Sequence, residues 1–456
     1  MEPIAAISTP LAPAAIGVVR LTGDGAAQIA EKVFRPLRKK PLTACPRREM
    51  IYGDMVDAEG NLLDRGLCVL FSAGQSYTGE ESAEFYCHGS PVAMQEVLRA
   101  LFAAGARQAK GGEFTRRAFL NGKLDLTQAE AVMDLIDAET AEAARCAAAQ
   151  VGGTLRRRVE KIYDTVMDVT SRFYAVVDYP DEDIDDLSTL ALSDALTAAA
   201  GEVKALLATF RRGSIMKNGL PTAIIGRPNA GKSSLLNALL GYERAIVTNI
   251  PGTTRDTVEE KVDCGGVLLR LTDTAGIRET DDIVESLGVE RSRDALIRAD
   301  LALCLVDASA PFTVEDKEAI MLAGEKGKWI LVFTKKDLAE ITPAIPEVFT
   351  NPPAATVFLS AETGEGMEEL EKAVAHLFPL PAVPRGEMLT SERQADAARR
   401  AQEALERAAM ALDMGLTPDA ILTDAEDALS ALGALTGKSV KEDLVATIFS
   451  RFCVCK

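Results

Sequence analysis

The amino-acid sequence predicts a multidomain protein with an α+β N-terminal domain, a discontinuous helical domain and an inserted α/β P-loop domain. Its 456 residues exceed what one hydrophobic core usually serves, so two or three domains are expected. The apolar pattern also changes along the chain, from mixed to helical, then to alternating strands and helices, and back to helical. A glycine-rich loop between a predicted strand and a predicted helix marks the α/β part.

The changes of pattern define four segments. Residues 1–118 mix short β-type runs with helical patterns, which is typical of an α+β domain. Residues 119–215 and 379–456 are helical, whereas residues 216–378 alternate strands and helices as a parallel-sheet nucleotide fold requires. A helical segment on each side of the alternating one indicates a single helical domain into which the α/β domain is inserted.

Individual elements can be predicted within these segments. The N-terminal segment is expected to contain strands at Ile16–Leu21 and Gly66–Phe71 and helices near 25–34 and 91–104. Thr127, with Glu130 three residues later, forms a capping-box pattern and predicts a helix start. Pro418 predicts another start and Gly437 a helix end. The strands expected in the α/β segment are Thr222–Ile225, Leu268–Thr272, Leu301–Val306, Trp329–Phe333 and Thr356–Leu359.

Composition narrows the functional classes. A net charge of −18 argues against a self-sufficient nucleic-acid binder, because such binding sets lysine and arginine against phosphate. Only two histidines argue against a histidine-based triad or a histidine-rich metal site. Eight cysteines without a C-x-x-C pair favour reduced cytosolic thiols. With no long apolar run and no basic N-terminal start, a cytoplasmic protein is expected.

The segment Gly226–Ser233 matches the phosphate-binding pattern G-x-x-x-x-G-K-S. Glycines let backbone N–H groups turn toward phosphates, Lys232 bridges the β- and γ-phosphates, and Ser233 reaches Mg²⁺. The candidate phosphate contacts are Asn229, Ala230, Gly231, Lys232, Ser233 and Ser234.

Two further segments complete the phosphate end of the predicted site. Asp273-Thr274-Ala275-Gly276 follows a hydrophobic strand, so Asp273 can hold Mg²⁺ through a water and the Gly276 N–H can sense the γ-phosphate. Gly252–Asp256 lies between the two motifs. A threonine there can close over Mg²⁺ when the γ-phosphate is present, which predicts a switch.

Another motif concerns the base. Thr334-Lys335-Lys336-Asp337 follows an apolar strand, and Asp337 would accept hydrogen bonds from the guanine N1–H and N2–H₂, which adenine lacks. Ser360 and Ala361, after the last strand, would complete the base pocket through a backbone N–H. The nucleotide is therefore predicted to be GTP.

The group that positions the attacking water is less obvious. Many GTPases use a glutamine directly after D-x-x-G, but here that residue is Ile277. The acidic run Glu279–Glu285 offers carboxylates instead, although it also fits a solvated loop. Arg255 and Arg278 are candidate arginine fingers, and Asn229 could ligate a monovalent cation beside the phosphates.

Long motifs outside the nucleotide site resemble one family. Phe119–Ala131 reads F-L-N-G-K-L-D-L-T-Q-A-E-A, Ser76–Glu80 reads S-Y-T-G-E, Cys87–Gly89 reads C-H-G, and Phe452–Lys456 reads F-C-V-C-K. Together with the nucleotide motifs, they closely resemble the MnmE (TrmE) family of tRNA-modification GTPases. The resemblance covers essentially the whole chain, and the F-L-N-x-K-L-D-L block is far more specific than a P-loop.

The resemblance implies a layout, partners and a reaction. The layout is an N-terminal tetrahydrofolate-binding and dimerisation domain, a split helical domain and an inserted GTPase domain, in a homodimer. The implied partner is the FAD-binding protein MnmG (GidA), which contributes much of the tRNA surface in a heterotetramer. Together they add a carboxymethylaminomethyl or aminomethyl group at C5 of the wobble uridine, with a one-carbon unit from a methylene-tetrahydrofolate.

The resemblance also implies roles for matching residues. Mg²⁺ is expected on Ser233 and Thr254, and K⁺ on Asn229, Thr248, Ile250 and Thr253. Glu285 matches the glutamate that orients the hydrolytic water, and K⁺-stabilised pairing of two GTPase domains is the implied activating event. Folate, as the 5-formyl or methylene form, is expected at Arg20, Glu84, Lys123 and Lys456, with Cys453 nearby for modification. Taken singly, Arg20, Glu84 and Lys123 also fit surface ion pairs.

Three positions depart from the family pattern. Thr9–Ala15 replaces a glycine-rich turn, Cys455 stands where glycine is expected, and Thr334 stands where asparagine is usual. The first two bear on folate contacts and tail geometry, and the third on base recognition.

Two other functions are compatible with part of the sequence. A ribosome-assembly-type GTPase switch would share only the inserted domain, but the basic RNA-binding module usual in that class is not visible here. A non-hydrolysing scaffold would bind folate and a partner and use the nucleotide only for structure.

Overall fold

The computed structural model describes residues 1–38, 40–178, 189–243, 260–271, 295–339, 351–379 and 386–438. The chain divides into two compact units. The first combines Met1–Met133, Gln150–Leu187 and Met414–Lys456, and the second combines Asp134–Ala149 with Ser188–Asp413. Each unit therefore joins stretches that are far apart in sequence.

The first unit contains a seven-stranded sheet with the order β3-β4-β5-β6-β2-β1-β7. Its strands are β1 Ile4–Ile7, β2 Ala14–Thr22, β3 Phe34–Pro36, β4 Ile51–Val56, β5 Leu62–Phe71, β6 Ser82–Gly89 and β7 Arg107–Gln108. All neighbours are antiparallel except β1 and β7. Helices α1 Ala26–Val33 and α2 Pro91–Ala103 contribute to the core of this sheet, around fully buried Phe34, Phe85 and Met94. The predicted α+β architecture is confirmed, including both helices and both strands.

The side chains of β6 show how the two faces of this sheet differ. Ala83, Phe85 and Cys87 are buried in the core beside the helices. Because successive side chains of a strand point to opposite faces, Glu84, Tyr86 and His88 share the other face. That face is where the sheet can present polar groups to a ligand.

The remaining helices follow in chain order. They are α3 Glu113–Leu120, α4 Leu126–Ile136, α5 Ala141–Val151, α6 Thr154–Asp178, α7 Thr189–Leu207, α8 Phe210–Asn218, α9 Lys232–Glu243, α10 Val314–Gly324, α11 Met367–Leu377, α12 Glu392–Asp413 and α13 Pro418–Thr436. None of the helices in the described ranges is long and apolar enough to cross a bilayer.

In the first unit, helices from before and after the P-loop segment pack together. Helix α6 packs against α13, which begins at Pro418 as predicted. Gly437 ends α13 in the left-handed conformation, with φ 92°. A Cβ atom there would lie 2.7 Å from the Phe119 ring and 3.0 Å from Leu126 Cβ, so glycine also permits this close packing.

The start of α4 differs from its prediction. Asp125, not Thr127, caps this helix, because its Oδ1 accepts the Gln128 N–H at 2.7 Å. Gln128 Oε1 accepts the Asp125 N–H in return, at 3.1 Å, which completes a capping box two residues earlier than expected. The Thr127 hydroxyl is not free to cap, since it donates to Asp125 Oδ1 at 2.7 Å.

The second unit contains a six-stranded sheet with the order β13-β12-β11-β8-β10-β9. Its strands are β8 Leu220–Ile225, β9 Glu260–Cys264, β10 Val267–Leu271, β11 Leu301–Asp307, β12 Trp329–Thr334 and β13 Ala355–Phe358. Neighbours are parallel except for β9, which pairs antiparallel with β10. The five predicted strands are confirmed to within two residues, whereas β9 was missed.

The helices that flank this sheet in sequence also pair with each other. Helix α7 packs against α12, and Ser193 Oγ donates to Asp413 Oδ1 at 2.7 Å. The returning chain crosses α8 closely, so that Leu389 N donates to Thr209 Oγ1 at 3.1 Å. A discontinuous helical domain with an inserted α/β domain is therefore confirmed as the fold class.

The crossing over α8 predicts an intolerant glycine. A Cβ atom on Gly213 would lie 2.1 Å from the Leu389 carbonyl oxygen, so Gly213→Ala must displace one of the two segments. We expect a loss of about 1–3 kcal/mol in unfolding free energy, measured by chemical denaturation. Gly201→Ala is the matched control, because it adds the same methyl group to α7 with nothing within 4 Å, and it should stabilise by about 0.5–1 kcal/mol. Equal destabilisation of both variants would contradict the packing explanation.

Candidate functional site

The P-loop lies between β8 and α9, as the sequence pattern predicts. Gly226 and Gly231 have positive φ angles, of 153° and 90°, and Asn229 adopts the left-handed conformation with φ 62°. A Cβ atom on Gly226 would lie 2.5 Å from the Leu305 carbonyl oxygen. Glycine is therefore required at Gly226, where the loop passes close to β11, and the N-terminus of α9 supplies backbone N–H groups suited to an anion.

Lys232 lies inside this loop. Its Nζ donates to the carbonyl oxygens of Gly226, at 2.6 Å, and Arg227, at 2.9 Å. Burial lowers the pKa of Lys232, because desolvation disfavours the charged ammonium. A phosphate oxyanion would provide a charged partner for the same ammonium, so the environment favours binding of an anion here.

The predicted base-recognition segment adjoins the P-loop. Thr334 ends β12 and is 1% exposed, and its hydroxyl lies 2.7 Å from the Ala230 carbonyl oxygen, within hydrogen-bonding distance. The threonine that replaces asparagine thus links the P-loop to the segment carrying Asp337, which is exposed on a 3₁₀ turn.

Lys335 is held by a second strand end. It adopts the left-handed conformation, with φ 56°, and its Nζ lies 2.7 Å from Oδ2 of Asp307 at the end of β11. Burial alone would raise the pKa of Asp307, but hydrogen bonds from Lys335 and Ser309 hold it below its ordinary value. Asp307 is therefore an ionised anchor for Lys335. It belongs to none of the sequence motifs, so its role was not predicted.

The Ser360–Ala361 segment follows β13. The Ser360 N–H donates to the Glu365 carbonyl oxygen at 2.8 Å. Its backbone donor is therefore already used, so the Ala361 N–H is the better candidate for contacting the base. The carboxyl ends of parallel strands β8, β11, β12 and β13 thus bring these motifs to one edge of the sheet, where such folds bind ligands.

In the first unit, two of the predicted folate residues form an ion pair. Strands β2 and β6 place Arg20 opposite Glu84, and Arg20 Nη2 lies 2.8 Å from Glu84 Oε1. The Tyr86 hydroxyl donates to Glu84 Oε2 at 2.8 Å. Burial and the Glu84 hydrogen bond raise the pKa of Tyr86 to about 12, so the phenol stays protonated as a donor. The guanidinium of Arg20 also lies 5.3 Å from the centroid of the Tyr77 ring.

Lys123 borders the loop that carries Tyr77. Its Nζ donates to the Gly74 carbonyl oxygen at 2.9 Å, and its side chain lies against Gly79. Tyr77 in turn shares a hydrogen bond with Thr115, at 2.9 Å. Arg20 and Glu84 are thus in direct contact, and Lys123 contacts the loop that lies under Arg20.

A buried ion network supports this loop from behind. Arg117 is 4% exposed and donates to Glu80 Oε2, at 2.9 Å, and to Glu113 Oε1, at 3.0 Å. Burial would raise the pKa of Glu113, but hydrogen bonds from Arg107, Lys110 N and Arg117 lower it to about 2. The S-Y-T-G-E motif therefore has a structural role through Glu80, and its partner Arg117 was missed because the contact is made only in the tertiary fold.

Comparison with known proteins decides the assignment. The family model for the "GTP-binding protein TrmE N-terminus" matches residues 3–123, and the "MnmE helical domain" model matches residues 126–453. The chain is 45% identical to the tRNA modification GTPase MnmE of Roseiflexus sp., over 100% of this chain and 99% of that protein. The corresponding protein of Symbiobacterium thermophilum is 43% identical, with the same coverage of both chains.

The chain belongs to the MnmE family of tRNA modification GTPases. The MnmE protein of Chloroflexus aurantiacus is also 42% identical over the full length of both chains. As a member of this family, the chain is a GTP hydrolase that takes part in tRNA modification. The solved G domain of the T. maritima FeoB iron transporter covers 34% of this chain, and 96% of its own, at 29% identity with a TM-score of 0.25.

Several of the predicted site residues lie outside the described ranges. They are Thr248, Ile250, Thr253, Thr254, Asp273, Thr274, Ala275, Gly276, Glu285, Cys453 and Lys456. Their roles stay predictions, as do those of the described P-loop residues Asn229, Ser233 and Ser234. Within the described ranges, no three His, Cys, Asp or Glu residues are grouped as metal ligands.

Arg227, in the first half of the P-loop, contacts Asp316, and the sequence analysis did not predict this contact. Arg227 Nε lies 3.1 Å from Oδ1 of Asp316, a carboxylate that is 1% exposed. Asp316 also forms a capping box with Thr313 at the start of α10. The T-x-x-D pattern was visible in the sequence, but its contact with the P-loop depends on the tertiary fold.

The hydroxyl of Thr334 yields a direct test of the nucleotide site. Thr334→Val removes the donor that lies 2.7 Å from the buried Ala230 carbonyl oxygen, and loss of this hydrogen bond costs about 1–3 kcal/mol. We expect GTP binding to weaken by about 5- to 100-fold in calorimetric titration, and Thr334→Ser to restore most of it. Thr356→Val, the same change on β13, serves as the control. Parental affinity in Thr334→Val would show that this link does not shape the site.

Proposed function

We propose that the chain hydrolyses GTP to drive addition of a carboxymethylaminomethyl or aminomethyl group at C5 of the tRNA wobble uridine. The one-carbon unit would come from a methylene-tetrahydrofolate, and the FAD-binding protein MnmG (GidA) would share the reaction. The observation that carries the proposal is the full-length MnmE match of a chain with a P-loop in one unit and an Arg20–Glu84 site in the other.

In this proposal the nucleotide is held mainly by electrostatics. Lys232 and the backbone N–H groups at the start of α9 bind the phosphates, Ser233 and Thr254 hold Mg²⁺, and Asp337 selects guanine. The hydrogen bond from Thr334 to the P-loop supports this assignment, because Thr334 begins the segment that carries Asp337.

Hydrolysis requires a substitute for the usual glutamine. We assign water positioning to Glu285, because Ile277 has no polar group. K⁺ would lie beside the phosphates on Asn229 and on the loop residues Thr248, Ile250 and Thr253. The left-handed backbone of Asn229 supports this ligand, since it orients the residue differently from its neighbours. The cation would supply the charge that an arginine finger supplies elsewhere.

Folate would bind on the polar face of the N-terminal sheet. Arg20, Lys123 and Lys456 suit carboxylate or formyl oxygens, and Glu84 suits the donor edge of a pterin. The ordering of Glu84 by two partners supports this site, because a fixed carboxylate loses little entropy on binding. Cys453 would act near the folate in the modification step.

The acidic chain needs help to bind tRNA. With a net charge of −18, it cannot by itself neutralise many phosphates. A homodimer associated with MnmG in a cytoplasmic heterotetramer would provide the positive surface for tRNA.

Substitution of Glu285 tests the hydrolytic step. We expect Glu285→Ala to retain GTP binding and to lose single-turnover hydrolysis in KCl, because the carboxylate assigned to orient the water is removed. The parent should lose most of its rate when NaCl replaces KCl. Equal turnover of variant and parent would remove Glu285 from this role, and a parent rate that is the same in both salts would remove K⁺.

Substitution of Lys123 tests the folate site and the coupled reaction. Lys123→Ala should weaken 5-formyl-tetrahydrofolate binding about 5- to 30-fold, as expected for loss of a charge-assisted hydrogen bond of about 1–2 kcal/mol, and should spare GTP hydrolysis. Nucleoside analysis of tRNA should show that the wobble uridine is unmodified in a deletion strain. Expression of this variant in that strain should restore the modification in part. If the variant binds folate with the parental affinity, the proposed folate site is contradicted. If the deletion strain still modifies its wobble uridine as the parent strain does, the proposed function is contradicted.

A further inference from the structure

The N-terminal sheet carries an Asp–His pair that none of the assigned roles uses. At the end of β6, the His88 N–H donates to Asp64 Oδ2 at 2.7 Å. The Nδ1 atom of the same residue lies 2.8 Å from Asp64 Oδ1, and it is the donor because the carboxylate only accepts. One carboxylate therefore fixes both the backbone and the ring of His88.

This arrangement presents a single ring nitrogen to solvent. The Asp64 side chain is 11% exposed, whereas that of His88 is 75% exposed. With Nδ1 bound to the carboxylate, Nε2 is the atom that can meet another molecule. A carboxylate behind Nδ1 fixes the orientation of the ring and leaves Nε2 facing outward, as in histidines that transfer protons.

The pair lies on the same face as the proposed folate residues. Glu84, Tyr86 and His88 alternate along β6, and Arg20 lies opposite Glu84. The Cα atoms of Glu84 and His88 are four residues apart, or about 13 Å along a strand. An extended ligand that is recognised at Arg20 and Glu84 can therefore reach His88.

We infer that His88 transfers a proton during one-carbon release from the reduced folate, and that Asp64 positions it. This inference rests on the proposed folate function. In the step, the bond between the one-carbon unit and one of its two folate nitrogens breaks, and its electron pair stays on that nitrogen. The lone pair of the other nitrogen forms a double bond to the carbon, so that nitrogen takes up the positive charge. The His88 imidazolium gives its Nε2 proton to the nitrogen of the broken bond and becomes neutral. No oxidant or reductant is needed, and Asp64 stays ionised throughout.

A purely structural role would differ in one respect. The Asp64 contact with the His88 N–H satisfies the backbone at the end of β6 whatever the side chain at that position. If the pair is only structural, no ligand has to lie near Nε2, and free imidazole cannot compensate for removal of the His88 side chain.

The first test places the ligand by nuclear magnetic resonance. The chain has two histidines, His88 and His376, so full-length protein labelled with ¹⁵N-histidine gives two sets of imidazole signals, assigned with His376→Ala. Addition of 5-formyl-tetrahydrofolate should shift the His88 signals and leave those of His376 unchanged. Folate binding with an unshifted His88 would overturn the inference. Absence of folate binding would instead reject the proposed function.

The second test separates proton transfer from structure. With MnmG, tRNA and isotope-labelled methylene-tetrahydrofolate, His88→Ala should lower incorporation of label by about 10²- to 10⁴-fold, the range for loss of a general acid. Added imidazole should restore part of it, and the thermal unfolding midpoint should stay at the parental value. His376→Ala is the matched control.

Each outcome of the second test has one meaning. Parental incorporation in His88→Ala, or a loss that imidazole does not relieve, would overturn proton transfer by His88. If the parent itself incorporates no label from the folate, the proposed function fails before His88 is considered.

Discussion

The nucleotide site depends on a buried contact between the Thr334 hydroxyl and the Ala230 carbonyl oxygen. Parallel strands bring their carboxyl ends to one edge of the sheet, but they do not by themselves fix the distance between two loops. The contact sets that distance, because an unpaired carbonyl at this depth would be costly. Asp307 orders Lys335 and Asp316 orders Arg227 in the same way. Two of these contacts thus hold the P-loop, and the third orders the base-recognition segment beside it.

The distribution of charge explains how a strongly acidic chain offers an anion site. Lys232 is enclosed by backbone carbonyls, and burial lowers its pKa, so it gains from a negatively charged ligand. The nearest acidic side chains described are already paired with cations, as Asp307 is with Lys335. The net charge of −18 opposes the binding of tRNA, which is why a partner with a positive surface is part of the proposed function.

The N-terminal sheet uses its two faces for different purposes. Its apolar face is buried against α1 and α2, and this core fixes the strands in register. Register then sets the opposite face, where Arg20 meets Glu84 and His88 follows two pleats later. Because strands are stiffer than loops, a ligand on this face meets groups that are already positioned. The buried Glu80–Arg117 contact extends that rigidity to the loop bearing Tyr77.

The sequence alone determined the fold class, five strands of the α/β sheet, the P-loop and the family, because each is encoded in local periodicity or in contiguous motifs. It did not predict β9, a five-residue strand with only two apolar residues, or the cap of α4, where Asp125 takes the role predicted for Thr127. Only the tertiary structure joined Arg227 to Asp316, Thr334 to Ala230 and His88 to Asp64. These pairs are distant in sequence, and their formation depends on strand register and helix packing, which local patterns do not specify.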